Sequence, residues 1–153
     1  MPCKKLKDFL DKYDVPFVTI THSQAFTAQK IAASAHIPGK NMVKTVMVII
    51  NGMMAMTVLP ASYHVDFNLL KEITGEGNVR LASETEFKDM FPDCEIGAEP
   101  PFGNLYGVPV FISDKLPDDQ EIAFKTGTHT ETAKMPYQTY EGLVSPEAIK
   151  FSS

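Results

Sequence analysis

The chain reads as an α+β (mixed α/β) fold in which a curled mixed sheet or partly open barrel is flanked by helices. Three observations predict that class. Two apolar runs, residues 42–50 and 53–59, meet across Asn51-Gly52, the strongest short signal for a β-hairpin. Several other segments carry apolar residues at helical spacing. Strands and helices alternate without a regular βα repeat, which points to a mixed rather than an all-parallel sheet. With 153 residues and no repeat, linker or low-complexity tract, residues 1–153 are expected to form a single domain.

The elements follow in order. Leu6, Phe9, Leu10 and Tyr13 make one helical stripe, stopped at Val15-Pro16, and residues 17–21 read as a strand. Thr27 caps a second helix carrying Ala28, Ile31, Ala32 and Ala35, which ends at Ile37-Pro38-Gly39. Asp66 starts a third with Phe67, Leu70 and Ile73 inward, closed by Gly75 and Gly77. A short strand is expected at 79–81, and Ser83 with Glu86 forms a capping box ahead of Phe87, Met90 and Phe91. Residues 92–106 hold glycines and a double proline and show no periodicity. Strands at 108–112, 121–125 and 128–133, a helix at 136–143 and a closing strand at 148–151 complete the expected order.

Composition narrows the function. Net charge is −5 and Arg80 is the only arginine, which argues against an extended phosphate-backbone interface and hence against DNA. A pocket for one nucleotide terminus needs only two or three lysines, and Lys30, Lys40 and Lys44 are candidates. No run approaches the roughly 18 apolar residues of a membrane span, and Met1 to Lys5 lacks an apolar signal core, so a cytoplasmic chain with no membrane partner is expected. Cys3 and Cys94 make no disulfide framework. The histidines at 22, 36, 64 and 129 lack metal-ligand spacing, so neither metal nor cofactor is expected.

Three features could carry chemistry. Lys44 stands just inside the most hydrophobic run, on the strand face of Val46, Val48 and Ile50, and both faces are apolar beyond Thr45. Its ammonium either snorkels to water or is held over a site that needs a cation. In the loop 96–104, Gly97 and Gly103 allow unusual backbone while Pro100 and Pro101 stiffen it. Such a loop can present backbone groups to a ligand, or simply join two elements over the surface. The stretch 125–131 adds Gly127, hydroxyls and His129 after an apolar strand, a pattern that β-propensity alone also explains.

Together these features resemble the YbaK and prolyl-tRNA-synthetase-associated editing domain family, over nearly the whole chain. The resemblance runs through the entry segment 21–28 with His22, the helix leading to Pro38-Gly39-Lys40, the strand Val43-Lys44-Thr45-Val46, the 97–103 loop and Gly127-Thr128-His129. It implies a barrel-like domain that hydrolyses mischarged aminoacyl-tRNA in trans, freeing the tRNA for proline from alanine or cysteine. It implies Lys44 as the catalytic residue, and Gly97, Pro100, Pro101, Gly127, Thr128, His129 and His22 as substrate-binding. The implied partners are the 3′ end of an aminoacyl-tRNA and, because arginine is so scarce, an aminoacyl-tRNA synthetase that helps deliver it. The loop from Glu99 to Tyr106 departs from those of the better-known cysteine and alanine editors, which leaves the amino acid open.

An aminoacyl ester is activated by its own 2′-hydroxyl and α-ammonium groups, so no catalytic triad is needed. Lys44, with a reference pKa of about 10.4, is expected to act as a fixed cation. Amides near Gly97 and Gly127 would complete an oxyanion site, and Thr128, His129 or the substrate's 2′-hydroxyl would position water. Met47, Met53, Met54 and Met56 offer adaptable pocket walls, or else plain core. Two other readings stand beside this one. A non-catalytic module could bind aminoacyl-tRNA or a synthetase through the same pocket. Thiol chemistry at Cys94 is disfavoured, since Asp93 and Glu95 would raise its pKa.

Overall fold

A computed structural model describes residues 3–24, 27–75, 77–116 and 120–153. Ala25 and Phe26 of the entry segment, and Met1 and Pro2, lie outside the described residues. The helices are α1 (Lys4–Lys12), α2 (Ala28–Ser34), α3 (Phe67–Thr74), α4 (Glu84–Phe87) and α5 (Tyr137–Val144). The strands are β1 (Val18–Thr21), β2 (Val43–Ile50), β3 (Met53–Pro60), β4 (Val79–Leu81), β5 (Val110–Ser113), β6 (Glu121–Lys125), β7 (Glu131–Pro136) and β8 (Glu147–Ile149). They form two sheets, one of three strands in the order β1-β7-β6 and one of five in the order β4-β2-β3-β5-β8. Antiparallel pairing joins the first three strands of the larger sheet, and parallel pairing adds β5 and β8. The architecture is thus mixed and helix-flanked, and the sheets do not close into a barrel.

Local chemistry explains most boundaries. Thr27 Oγ1 accepts the Lys30 amide at 3.1 Å, capping α2, and Asp66 Oδ1 accepts the Asn68 and Leu69 amides at 3.0 and 3.1 Å, capping α3. The Ser83–Glu86 capping box forms at α4. At the Asn51-Gly52 turn both residues take positive φ, 51° and 83°, as a tight hairpin requires. β2 is covered on both faces. Val43, Met47 and Ile49 enter the largest core cluster, while Val48, with Val46 and Ile50 beside it, packs in the cluster that holds Leu70 of α3. This double burial accounts for the near-continuous hydrophobicity of the run.

Several expectations shift. Strand β5 starts at Val110 rather than 108, and β7 starts at Glu131 rather than 128, so Thr128 and His129 belong to the connection between β6 and β7. Ile73, expected inward on α3, is 44% exposed, and Tyr13 falls one residue beyond α1 and is 55% exposed. Met47 and Met56 are plain core, whereas Met53 is 71% exposed.

The two sheets meet at one seam. Met42, just before β2, makes a parallel bridge to Ala123 of β6, and its carbonyl accepts the Ala61 amide at 2.8 Å. The buried Asn41 side chain donates to the Glu121 carbonyl at 2.9 Å and to Gln120 Oε1 at 2.8 Å, pinning the same junction. Beneath it, Phe102 lies fully buried, edge-on to Phe9, Phe124 and Tyr140. Phe102→Ala should cost about 3–5 kcal/mol, as truncations of buried aromatics do. Equilibrium denaturation of the variant against the parent checks it.

Candidate active site

A cavity of about 330 Å³ opens at the seam. Ala28 and Ile31 of α2, Met42, Ala61 and Phe124 give it apolar walls, and Lys44, Lys125 and Glu99 bring charge into it. Lys44 keeps the alternation of Val48 and Ile50. Those two pack toward α3, but at this end of β2 the lysine meets a hollow walled in part by α2. It is half-buried, and burial alone pulls its pKa below the ordinary lysine value. Among the described residues its ammonium makes no hydrogen bond or ion pair. The cation therefore faces the cavity without a counter-ion.

Opposite stands the loop before β5. Gly97 takes φ of +87°, and a Cβ placed there would meet His129 Cε1 at 3.3 Å, so both backbone and space call for glycine. The Gly97 amide donates to Glu99 Oε2 at 2.9 Å. That bond uses the donor expected to serve an oxyanion. Glu99 itself is 5% exposed, and burial raises its carboxyl pKa above the ordinary glutamate range. Pro100 and Pro101 do not line the cavity. Both are buried, and the Pro101 carbonyl accepts the Tyr140 hydroxyl, so the double proline anchors the loop to the aromatic core.

The connection between β6 and β7 reaches the site through Lys125 and His129. Lys125 Nζ donates to His129 Nδ1 at 3.0 Å, and His129 Nε2 donates to the Ile96 carbonyl at 2.8 Å. An ammonium only donates and a carbonyl only accepts, which fixes the tautomer and occupies both ring nitrogens. The His129 amide donates to Glu95 Oε1 at 2.9 Å, and the Glu95 amide to the Gly127 carbonyl at 2.8 Å, tying this turn to the loop. Burial lowers the pKa of Lys125 as well.

The remaining expected residues lie elsewhere. Gly127 has φ of +121°, and an added Cβ would stand 2.9 Å from Cys3 Cβ, so its lack of a side chain makes room for Cys3. Thr128 turns its hydroxyl to Thr130 at 3.4 Å. His22 is buried against Thr132, Nε2 to Oγ1 2.8 Å, and does not line the cavity. Nor do Met47, Met53, Met54 and Met56; the methionine there is Met42. Cys94 shares the Tyr106 hydroxyl with Cys3 at 3.7 and 3.6 Å. Its thiol is pushed up chiefly by Cys3 and by burial, with Asp93 a lesser cause. Among the described residues no cluster of three or more His, Cys, Asp or Glu could hold a metal ion, and no helix is long and apolar enough to cross a membrane.

Sequence reasoning missed Glu99 and Lys125. Each had a signal: a carboxylate between Ala98 and Pro100, and an ammonium ending an apolar strand, the same pattern that marked Lys44. The raised pKa of Glu99 has a stability consequence. A carboxyl whose folded pKa exceeds its unfolded value favours the fold most when protonated, below about pH 4.3, and that contribution is lost as pH rises through the folded pKa. Glu99→Gln should remove this loss and leave the protein more stable near neutrality. Thermal midpoints of parent and variant across pH 4–8 check it.

Residues 22–143 match the aminoacyl-tRNA editing domain family. Among curated proteins none matches the chain. The crystal structure of a hypothetical protein is similar with a TM-score of 0.82 at 18% identity, covering 98% of this chain and 100% of that one. A candidate trans-editing enzyme for prolyl-tRNA synthetase is similar at 0.84 and 14% identity, covering 98% and 96%. A candidate signal transduction protein from Marinobacter aquaeolei VT8 reaches 0.74 at 13% identity, covering 97% of this chain but 30% of that one. At such identities the likeness is one of fold.

Proposed function

The chain belongs to the aminoacyl-tRNA editing domain family, and on that premise we propose that it hydrolyses, in trans, the ester of a tRNA mischarged with a small amino acid. Alanine or cysteine on the tRNA for proline is the type of substrate we assign. The observation that carries this reading is the unpaired Lys44 ammonium facing an apolar cavity beside Gly97. A cation held in a poorly hydrated site stabilises developing negative charge far better than one in water.

In this reading the ester carbonyl lies toward Lys44, which stays protonated and stabilises the oxyanion as water adds. Ala28, Ile31, Ala61 and Phe124 receive the amino-acid side chain. Such walls select by excluding bulk, because an extra methylene is worth only about 1–3 kcal/mol in binding. His129 spends both nitrogens on Lys125 and Ile96, so it holds the loop in place and is not the base. The substrate's own 2′-hydroxyl is then the group that positions water. Arg80, the only arginine, is bound at 2.7 Å through both terminal nitrogens to Glu86. With that residue occupied, a synthetase that holds the tRNA body is the delivery partner we assign.

Lys44→Ala should lower the deacylation rate on alanyl- or cysteinyl-tRNA by roughly 10²–10³-fold, the scale of losing one preorganised oxyanion donor. The thermal midpoint should hardly move. Steady-state deacylation with alanyl-, cysteinyl- and seryl-tRNA, plus a melting curve, checks both. A folded Lys44→Ala protein with full activity would overturn the assignment, and a parent protein that binds these tRNAs without turnover would be a binding module instead.

A further inference from the structure

We infer that Glu99 is the receptor for the free α-ammonium group of the aminoacyl ester, so that the site admits esters of unblocked amino acids and rejects N-acylated ones. This rests on the hydrolase reading above for the identity of the ligand, but not for the geometry.

Glu99 sits in the loop opposite Lys44, lines the same cavity, and is 5% exposed. Its neighbours in sequence, Ala98 and Pro100, are buried and apolar. Among the described residues no ammonium is hydrogen-bonded or ion-paired to this carboxylate. Oε2 accepts the Gly97 amide at 2.9 Å, and the two basic groups whose charge reaches Glu99, His129 and Lys125, are hydrogen-bonded to each other at 3.0 Å. A buried carboxylate hydrogen-bonded only by backbone amides remains short of positive charge, and burial outweighs those bonds and the charge of His129 in raising its pKa. A protein keeps such a group at a cavity wall only at a cost to its fold. A cationic ligand removes that cost on binding.

The ligand's chemistry matches the arrangement. An α-ammonium lies one carbon from the ester carbonyl, so one molecule can place its cation at Glu99, its carbonyl toward Lys44 and its side chain against Ile31 and Phe124. Three such points also fix the hand of the α-carbon. An N-acylated ester offers no charge to Glu99 and leaves the carboxylate buried and unpaired, which is the strongest basis a polar site has for rejecting an analogue. An α-amino group whose own carboxyl is tied up as an ester or amide has a pKa of about 8 or below, so binding weakens as pH rises through that value.

The test uses unreactive 3′-amides, 3′-alanylamino-3′-deoxyadenosine and its N-acetyl derivative, titrated calorimetrically into the full-length protein. The parent should bind the free-amine compound at least tenfold more tightly at pH 6.5, and the ratio should collapse toward one in Glu99→Gln, whose amide oxygen can still accept the Gly97 N–H. Thermal denaturation confirms that the variant is folded. Equal binding of the two compounds by the parent, including no binding of either, would overturn the inference, as would an undiminished ratio in folded Glu99→Gln. Deacylation of alanyl-tRNA is read separately. A parent that turns over no tRNA yet shows the ratio has lost the hydrolase reading and kept the ammonium receptor.

Discussion

Met42 serves two sheets at once. Its bridge to Ala123 and its carbonyl bond to Ala61 hold the head of β2 against β6, while the rest of β2 lies inside the five-stranded sheet. The cavity opens beside this junction, lined by Met42, Ala61 and Phe124, and Lys44, two residues along from Met42, faces it. Backbone pairing at Met42 thus fixes where the Lys44 charge stands.

The second support comes from below. The loop bearing Gly97 and Glu99 is irregular, and a loop of that kind would ordinarily be mobile. Here Phe102 enters the aromatic cluster with Phe124 and Tyr140, and the Tyr140 hydroxyl fastens the Pro101 carbonyl. Phe124 belongs to that cluster and also to the cavity wall. Packing in the core therefore transmits directly to the position of two functional groups, with no secondary structure between them. Across the cavity, the chain of bonds from Lys125 through His129 to Ile96 fixes the loop's other end.

What the sequence disclosed was what is decided locally. The Asn51-Gly52 turn, the Thr27 and Asp66 caps and the Ser83–Glu86 box depend on residues within three or four positions, and each stands where the pattern placed it. Lys44 was legible because an ammonium in an apolar run is conspicuous wherever it occurs. The start of β7 was not legible. Threonines at 128 and 130 read as strand by propensity, yet the turn there is held by bonds to Glu95 and to the backbone of Cys3, which span 32 to 123 positions in the chain. Glu99 and Lys125 escaped for the same reason: a charge acquires its role from what long-range folding sets against it. Gly127 shows the converse, since its freedom serves a packed N-terminus that no local pattern announces.

Part of the cavity wall comes from segments that carry none of its charges. Ala28 and Ile31 ride on a short helix, α2, and Ala61 follows β3, whereas the charged groups stand on β2, β6 and the loop. Exchange of a methyl for a larger group on α2 would resize the chamber while leaving the ionic constellation in register. The volume of the chamber and the placement of its charges are consequently separable within one fold.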